Sequence, residues 1–218
     1  MEQTSIAFPN WGGAREGSGR KRTGPRGAVE HRARPAHNRR QPVHVSVRLE
    51  PGLESLRKRS TYRVVREAIA DGCRRFGLCI VEYSVMTNHV HLVCEAEDER
   101  ALSRGMKGLC VRLARRLNAL WDRAGRVIAD RYHARALKTP REVRNVLNYV
   151  FQNAHHHGIH FAGPDPCSSG GWFEGWDRAL GADPCRGASP LPRARTWLLS
   201  VGWKRHGPIT LDEPRRFS

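Results

Sequence analysis

The chain contains no run approaching the ~18 consecutive apolar residues that a membrane-spanning helix requires, and its first residues lack the apolar core of a signal peptide. From these absences we expect a cytoplasmic protein with no membrane association. It also lacks any C-x-x-C pair. Its six cysteines stand at positions 73, 79, 94, 110, 167 and 185, a spacing that argues against both a zinc knuckle and a disulfide framework. Cys79 and Cys94 fall inside apolar strand-like runs and read as small buried hydrophobes. Acidic residues are scarce: 21 against 38 Lys and Arg, for a formal net charge of +17. Such a field favours a polyanion, and planar guanidinium forks match phosphate oxygens, so nucleic acid is the leading partner class and nucleoid association is expected. A basic, arginine-rich proteome would produce the same excess without any such partner. Apolar residues almost vanish between Gly12 and Gln41, where GGAREGSGRKRTGPRG is the densest stretch. Residues 1–41 therefore read as a flexible basic arm, either solvated or touching phosphates through Arg20, Lys21 and Arg22.

What remains suffices for one core. We expect a folded domain over 42–163 and, where the composition shifts to PDPCSSGGW and GADPCRGASPLP, a C-terminal extension over 164–218 with a short helix at TWLLSVGWKRHG. In PVHVSVRL, Val43, Val45 and Val47 alternate with His44, Ser46 and Arg48 at the period of a strand. Tyr62, Val65, Ile69, Cys73 and Phe76 recur at helical spacing up to Gly77. LCIVEYSVM and HVHLVCEA read as a second and third strand joined by a tight hairpin at Thr87 and Asn88, which lacks a glycine. A second helix from about Arg100 to Trp121 carries an apolar stripe from Leu102 to Leu120. Its other side bears Arg104, Lys107, Arg112, Arg115 and Arg116, candidate DNA contacts or simply a solvated face. RVIADRYHARALK reads as a fourth strand, and Pro140 opens a third helix reaching Gly158. The order predicts an α+β fold, a ferredoxin-like split βαβ with an antiparallel sheet and helices on one face.

The chemistry concentrates at two places. Within VEYSVMTNHVHLV, His89 and His91 are two residues apart on a strand, so both rings leave the same face and converge. On the third helix Tyr149 and Asn153 are one turn apart and stack on a face distinct from the apolar stripe of Val143, Leu147, Val150 and Ala154. If that helix packs beside the third strand, phenol and carboxamide meet the two imidazoles. A pair of core histidines bonded to backbone carbonyls, and a tyrosine that only packs, are the plainer alternatives. His155, His156 and His157 cannot form a metal cluster, because three consecutive helical residues point in three directions.

Taken together, the N-H followed by H-x-H, the basic second helix, DRYHARAL and the Y-x-x-x-N helix resemble the single-tyrosine HUH transposases, and most of all the REP-associated tyrosine transposases. The resemblance covers roughly Pro42 to Gly158. It implies a metal-dependent endonuclease and strand transferase acting on single-stranded or hairpin DNA, with Mg²⁺ or Mn²⁺ held by His89, His91 and Asn153 and with Tyr149 as the nucleophile. It further implies a 5′-phosphotyrosyl intermediate that a second 3′-hydroxyl can reverse, in a monomer or homodimer. Ala154 stands where family members often carry proline. Two other classes stay open: a domesticated hairpin-binding protein that does not cut, and a basic RNA-binding module. The latter usually shows aromatics on central strands, and the strand aromatics here are Tyr83 and Tyr132.

Overall fold

Alternation in the first strand places three valines on one face, and that face is where the core begins. The computed structural model describes residues 37–177, 188–211 and 213; the arm residues Arg20, Lys21 and Arg22 lie outside them. Four strands, β1 (Val43–Arg48), β2 (Leu78–Val85), β3 (His89–Ala96) and β4 (His133–Ala136), form one antiparallel sheet in the order β2-β3-β1-β4. This is the α+β, ferredoxin-like order expected from the sequence. It makes β1 and β3 the central strands.

Helix α1 (Arg59–Gly72) and helix α2 (Glu99–Leu120) cover one face together. Val43, Val45 and Val47 meet Val90, Leu92 and Cys94 there, under Val65 and Ile69 of α1 and Leu102, Leu109 and Leu113 of α2. Each such buried aliphatic side chain contributes roughly 1.5–3 kcal/mol before conformational entropy is charged against it. Gly105 lets α2 approach β2 closely, since a Cβ there would lie 2.4 Å from Leu78 Cβ. Helix α3 (Pro140–His156) departs from the expectation of helices on one face: it packs on the other, against Cys79, Val81 and Val93. Strand alternation explains this, because β3 alternates Val90, Leu92 and Cys94 with His89, His91 and Val93, and Val93 supplies the apolar seat for α3. Thr139 and Glu142 form a capping box with Pro140 in the first turn, which fixes where α3 starts.

Two local expectations are corrected, and a third is met. The fourth strand is short, because residues 127–129 bond instead to the last residue of β1 and the chain just beyond it, Ala129 N–H to Arg48 O and Glu50 N–H to Val127 O, both at 2.9 Å. Helix α1 stops at Gly72, and Phe76, with φ of 59°, is largely exposed and rests against Gly108 of α2. The expected β2–β3 hairpin forms at Thr87 and Asn88 without a glycine, their carbonyls accepting from Leu56 N–H and Leu49 N–H, each at 2.9 Å. Arg57 reinforces this corner with a bidentate pair to Asp165 at 2.8 Å and a bond to Val85 O at 2.8 Å.

The C-terminal extension packs back on the domain. Helix α4 (Trp197–Ser200) begins at the buried Glu95 carboxylate, which accepts from Arg195 N–H, Thr196 N–H and Thr196 Oγ. Arg144 of α3 donates to Gly207 O and to the Glu213 carboxylate, so α3 lies between sheet and extension. Trp176 and Trp203 are buried in this layer, whereas Trp197 stays 48% exposed.

Candidate nucleic-acid cleavage site

The register decides which side chains share a face. His91 stands opposite Ser46 of β1 and Ser84 of β2, and His89 stands opposite Arg48. The next pair along places His44 beside Val93, with Arg135 of β4 on its other side. His44, His89 and His91 therefore occupy one patch on the α3 side of the sheet.

The His89 and His91 ring centroids are 4.8 Å apart at 88°. Tyr149 comes down from α3 edge-on to His91 and His44, its ring centroid 5.2 Å from that of His91 and 5.8 Å from that of His44. Asn153, one helical turn further, is fully buried on the same helix. The structure thus brings His89, His91 and Tyr149 together, with Asn153 a turn above Tyr149. It disperses the three consecutive histidines: His157 faces His89 at 6.4 Å, while His155 lies beside His160.

Both imidazoles of the pair are held by Nδ1. The Asn88 side-chain oxygen accepts from His89 Nδ1–H at 2.9 Å, which leaves the lone pair of the neutral ring on Nε2. His91 Nδ1 lies 3.1 Å from His44 Nε2, and the two rings stack at 5.2 Å and 24°. Burial, aided by nearby His133 and Arg135, pulls His44 down to about 4. Burial, with help from His157 and Arg48, pulls His89 to about 4 as well. These two rings are accordingly neutral near pH 7, the form in which imidazole ligates or accepts.

Among the described residues no three His, Cys, Asp or Glu side chains come together as a metal cluster. An ion here would have to rest on His89 and His91 Nε2, a neutral carboxamide, and oxygens brought by a ligand. The chemistry of that donor set fits a divalent ion held weakly until phosphate oxygens complete its shell.

A family model described as IS200-like transposase matches residues 44–153, just over half of the chain. The chain belongs to the IS200-like transposase family. A REP-associated tyrosine transposase solved with a REP hairpin bound matches with a TM-score of 0.53 at 17% identity, over 77% of this chain and 96% of that one. A Deinococcus radiodurans protein assigned as a transposase matches at a TM-score of 0.40 and 17% identity, over 63% of this chain and 98% of its own. No curated protein matches the chain. At this identity the structural likeness speaks for the fold, and the family model for membership.

In this transposase the basic face of α2 lies across the sheet from Tyr149, because α2 packs on the opposite side from α3. Arg104, Lys107 and Arg115 are exposed there. Arg112 reaches Ala68 O at 3.5 Å and Arg116 pairs with Asp71 at 2.5 Å, so both also tie α2 to α1. Tyr83 is fully buried on the α1 side, its hydroxyl 3.0 Å from that of Tyr62, and offers no platform for a base. Among the described residues no helix is long and apolar enough to cross a membrane.

Sequence reading missed His44, Arg48 and Asn88. Their signal was present in the polar half of PVHVSVRL and in the residue before H-x-H. Its meaning depended on β1 lying beside β3, which alternation within one strand does not reveal.

Proposed function

We propose that this chain is a metal-dependent tyrosine endonuclease and strand transferase acting on single-stranded or hairpin DNA. The observation that carries the reading is the approach of the Tyr149 ring to His91 at 5.2 Å, with His89 beside it at 4.8 Å. Tyr149 Oη would attack a phosphodiester phosphorus; the new O–P bond replaces the bond to the 3′ oxygen, the phenol loses its proton, and the 3′ oxygen leaves as a hydroxyl. A second 3′-hydroxyl can reverse this step, because the phosphodiester energy is retained on Tyr149. A divalent ion, Mg²⁺ or Mn²⁺, supplies polarisation of the phosphate when bound. His89 and His91 would hold it, with Asn153 as the third protein ligand, and His44 would keep the His91 ring in place. The family supports DNA as substrate, and the relative solved with a REP hairpin supports a folded single strand.

The test is a labelled hairpin oligonucleotide incubated with protein and Mn²⁺, then resolved on a denaturing gel. We expect a covalent adduct that Tyr149→Phe abolishes while hairpin affinity stays within about twofold. An adduct that survives the substitution would remove Tyr149 from its role. Absence of any adduct with the unsubstituted protein would favour a binder that does not cut.

A further inference from the structure

We infer that Arg48 is a further catalytic residue, whose guanidinium binds the non-bridging oxygens of the phosphate that Tyr149 attacks. The inference rests on the proposed DNA-cleaving function and adds to it a residue outside the H-x-H and Y-x-x-x-N motifs. In β1 the three valines turn to α1 and α2, so His44, Ser46 and Arg48 rise on the side where α3 packs. The register sets Arg48 directly opposite His89, and Ser46 opposite His91. Side chains that face each other in this way stand about 5 Å apart at Cβ. Arg48 is exposed and longer than the imidazole beside it, so its guanidinium can reach a group bound at that ring. Burial does most to lower the His89 pKa, and Arg48 is among the neighbours that lower it further. Along this face only the small side chain of Ser46 separates Arg48 from His44, against which Tyr149 lies edge-on.

Its lack of an acidic partner sets this arginine apart. Arg135 of β4, the other strand arginine on this face of the sheet, is paired with Glu142 at 3.2 Å. Glu50, two residues beyond Arg48, is taken by Arg126 at 2.8 Å. Among the described residues no carboxylate pairs with Arg48, so its charge is left for an anion from outside. When Tyr149 Oη attacks, the new O–P bond forms as the bond to the 3′ oxygen breaks, the phenol proton departs, and the 3′ oxygen leaves as a hydroxyl. Negative charge gathers on both non-bridging oxygens along the way. A guanidinium stays charged throughout and presents paired N–H donors matched to such oxygens, an attraction that is greatest for the most highly charged state on the path. Arg48 therefore favours the transition state over bound DNA. An arginine that is only solvated, or that only holds a neighbouring phosphate, would favour neither.

Two readouts on a hairpin oligonucleotide with single-stranded flanks separate these roles. Arg48→Ala should melt like wild type and slow single-turnover adduct formation, at saturating DNA and Mn²⁺, by at least about 100-fold. Arg48→Lys keeps the charge without the fork and should recover part of that rate. In the Tyr149→Phe background, where nothing is cut, the same oligonucleotide is titrated with one neutral methylphosphonate placed at each position in turn. Neutralising the phosphate at which the unsubstituted protein forms its adduct should weaken binding about tenfold when Arg48 is present and within about twofold in Arg48→Ala. Methylphosphonates elsewhere should affect both proteins alike. An Arg48→Ala adduct rate equal to that of wild type would overturn the inference. Coupling to a different phosphate would do so too, by making Arg48 a contact to the strand alone, as would a loss of Mn²⁺ affinity as large as the loss of rate, by making it a positioning residue for His89. If the unsubstituted protein forms no adduct, the cleavage reading falls and this catalytic role with it, and the methylphosphonate series then shows separately whether Arg48 holds a phosphate.

Discussion

Removing the His44 ring nitrogens while keeping a ring in their place isolates what that residue does for its neighbour. His44→Phe preserves an aromatic face against His91, stacked now at 5.2 Å, and deletes the hydrogen bond of 3.1 Å between Nε2 and His91 Nδ1. A neutral hydrogen bond of this kind contributes about 0.5–1.5 kcal/mol to stability, so the fold should lose little. Metal affinity should lose more, because partners that orient a ligating imidazole are commonly worth 10–100-fold in affinity, or about 1.4–2.7 kcal/mol. His44→Gln can restore a polar contact at the same atom and should fall between the two. The measurement is Mn²⁺ titration by electron paramagnetic resonance into the hairpin complex of a Tyr149→Phe protein, where no strand is cut, paired with urea unfolding in chelator. Equal Mn²⁺ affinity with and without the His44 imidazole would refute the reasoning. So would a loss of affinity no larger than the loss of fold stability.

Glu82, partly covered on β2 and bonded to Ser169 Oγ, is pushed up to about 8 by burial. The folded state then keeps a proton that the unfolded chain releases above about pH 4.5, so this residue makes stability fall as pH rises from about 4.5 to 8. Glu82→Gln should unfold like wild type near pH 4 and be about 2–3 kcal/mol more stable at pH 9; parallel urea midpoints across that range would contradict this. Arg57→Met strands the Asp165 carboxylate, whose side chain is 1% exposed, and should cost about 3–5 kcal/mol in urea unfolding. A loss under about 1 kcal/mol would show that the pair is not clamping the β2–β3 corner. Glu95→Gln leaves one acceptor for the three donors at the start of α4, at about 1–3 kcal/mol for each donor left unsatisfied. The extension should then be cut by protease at least tenfold faster, and an unchanged cleavage rate would locate its anchorage elsewhere.

The elements that repeat a local rule were legible in the chain itself. The valine alternation in β1, the apolar stripe of α2 as far as Leu117 and the Thr139-Pro140 start of α3 are each decided within a few residues and found where expected, while Leu120 at the end of the stripe is exposed. So are the shared face of His89 and His91 and the one-turn offset of Tyr149 and Asn153. What escaped were decisions made between distant segments. Whether Phe76 ends in a core, whether residues 127–129 extend β4 or bond beyond β1, and which helix covers which face all depend on partners tens of residues away. His44 belongs to this group, since it looks like one polar residue on an edge strand until β1 is known to lie at the centre.

The histidine patch is synthesised before the tyrosine that faces it, and this orders events during synthesis. His44, His89 and His91 are in place once β3 has paired with β1, whereas Tyr149 arrives only when α3, the last helix of the sheet layer, docks on Val93. At ~5–20 residues per second, Tyr149 leaves the ribosome about 3–12 s after His91. On the proposed reading, a nascent chain in that interval would offer imidazoles to an ion and basic side chains to a nucleic acid while lacking the Tyr149 phenol proposed to break the strand. If the proposed role of Tyr149 holds, a chain truncated before α3 should bind DNA without forming an adduct.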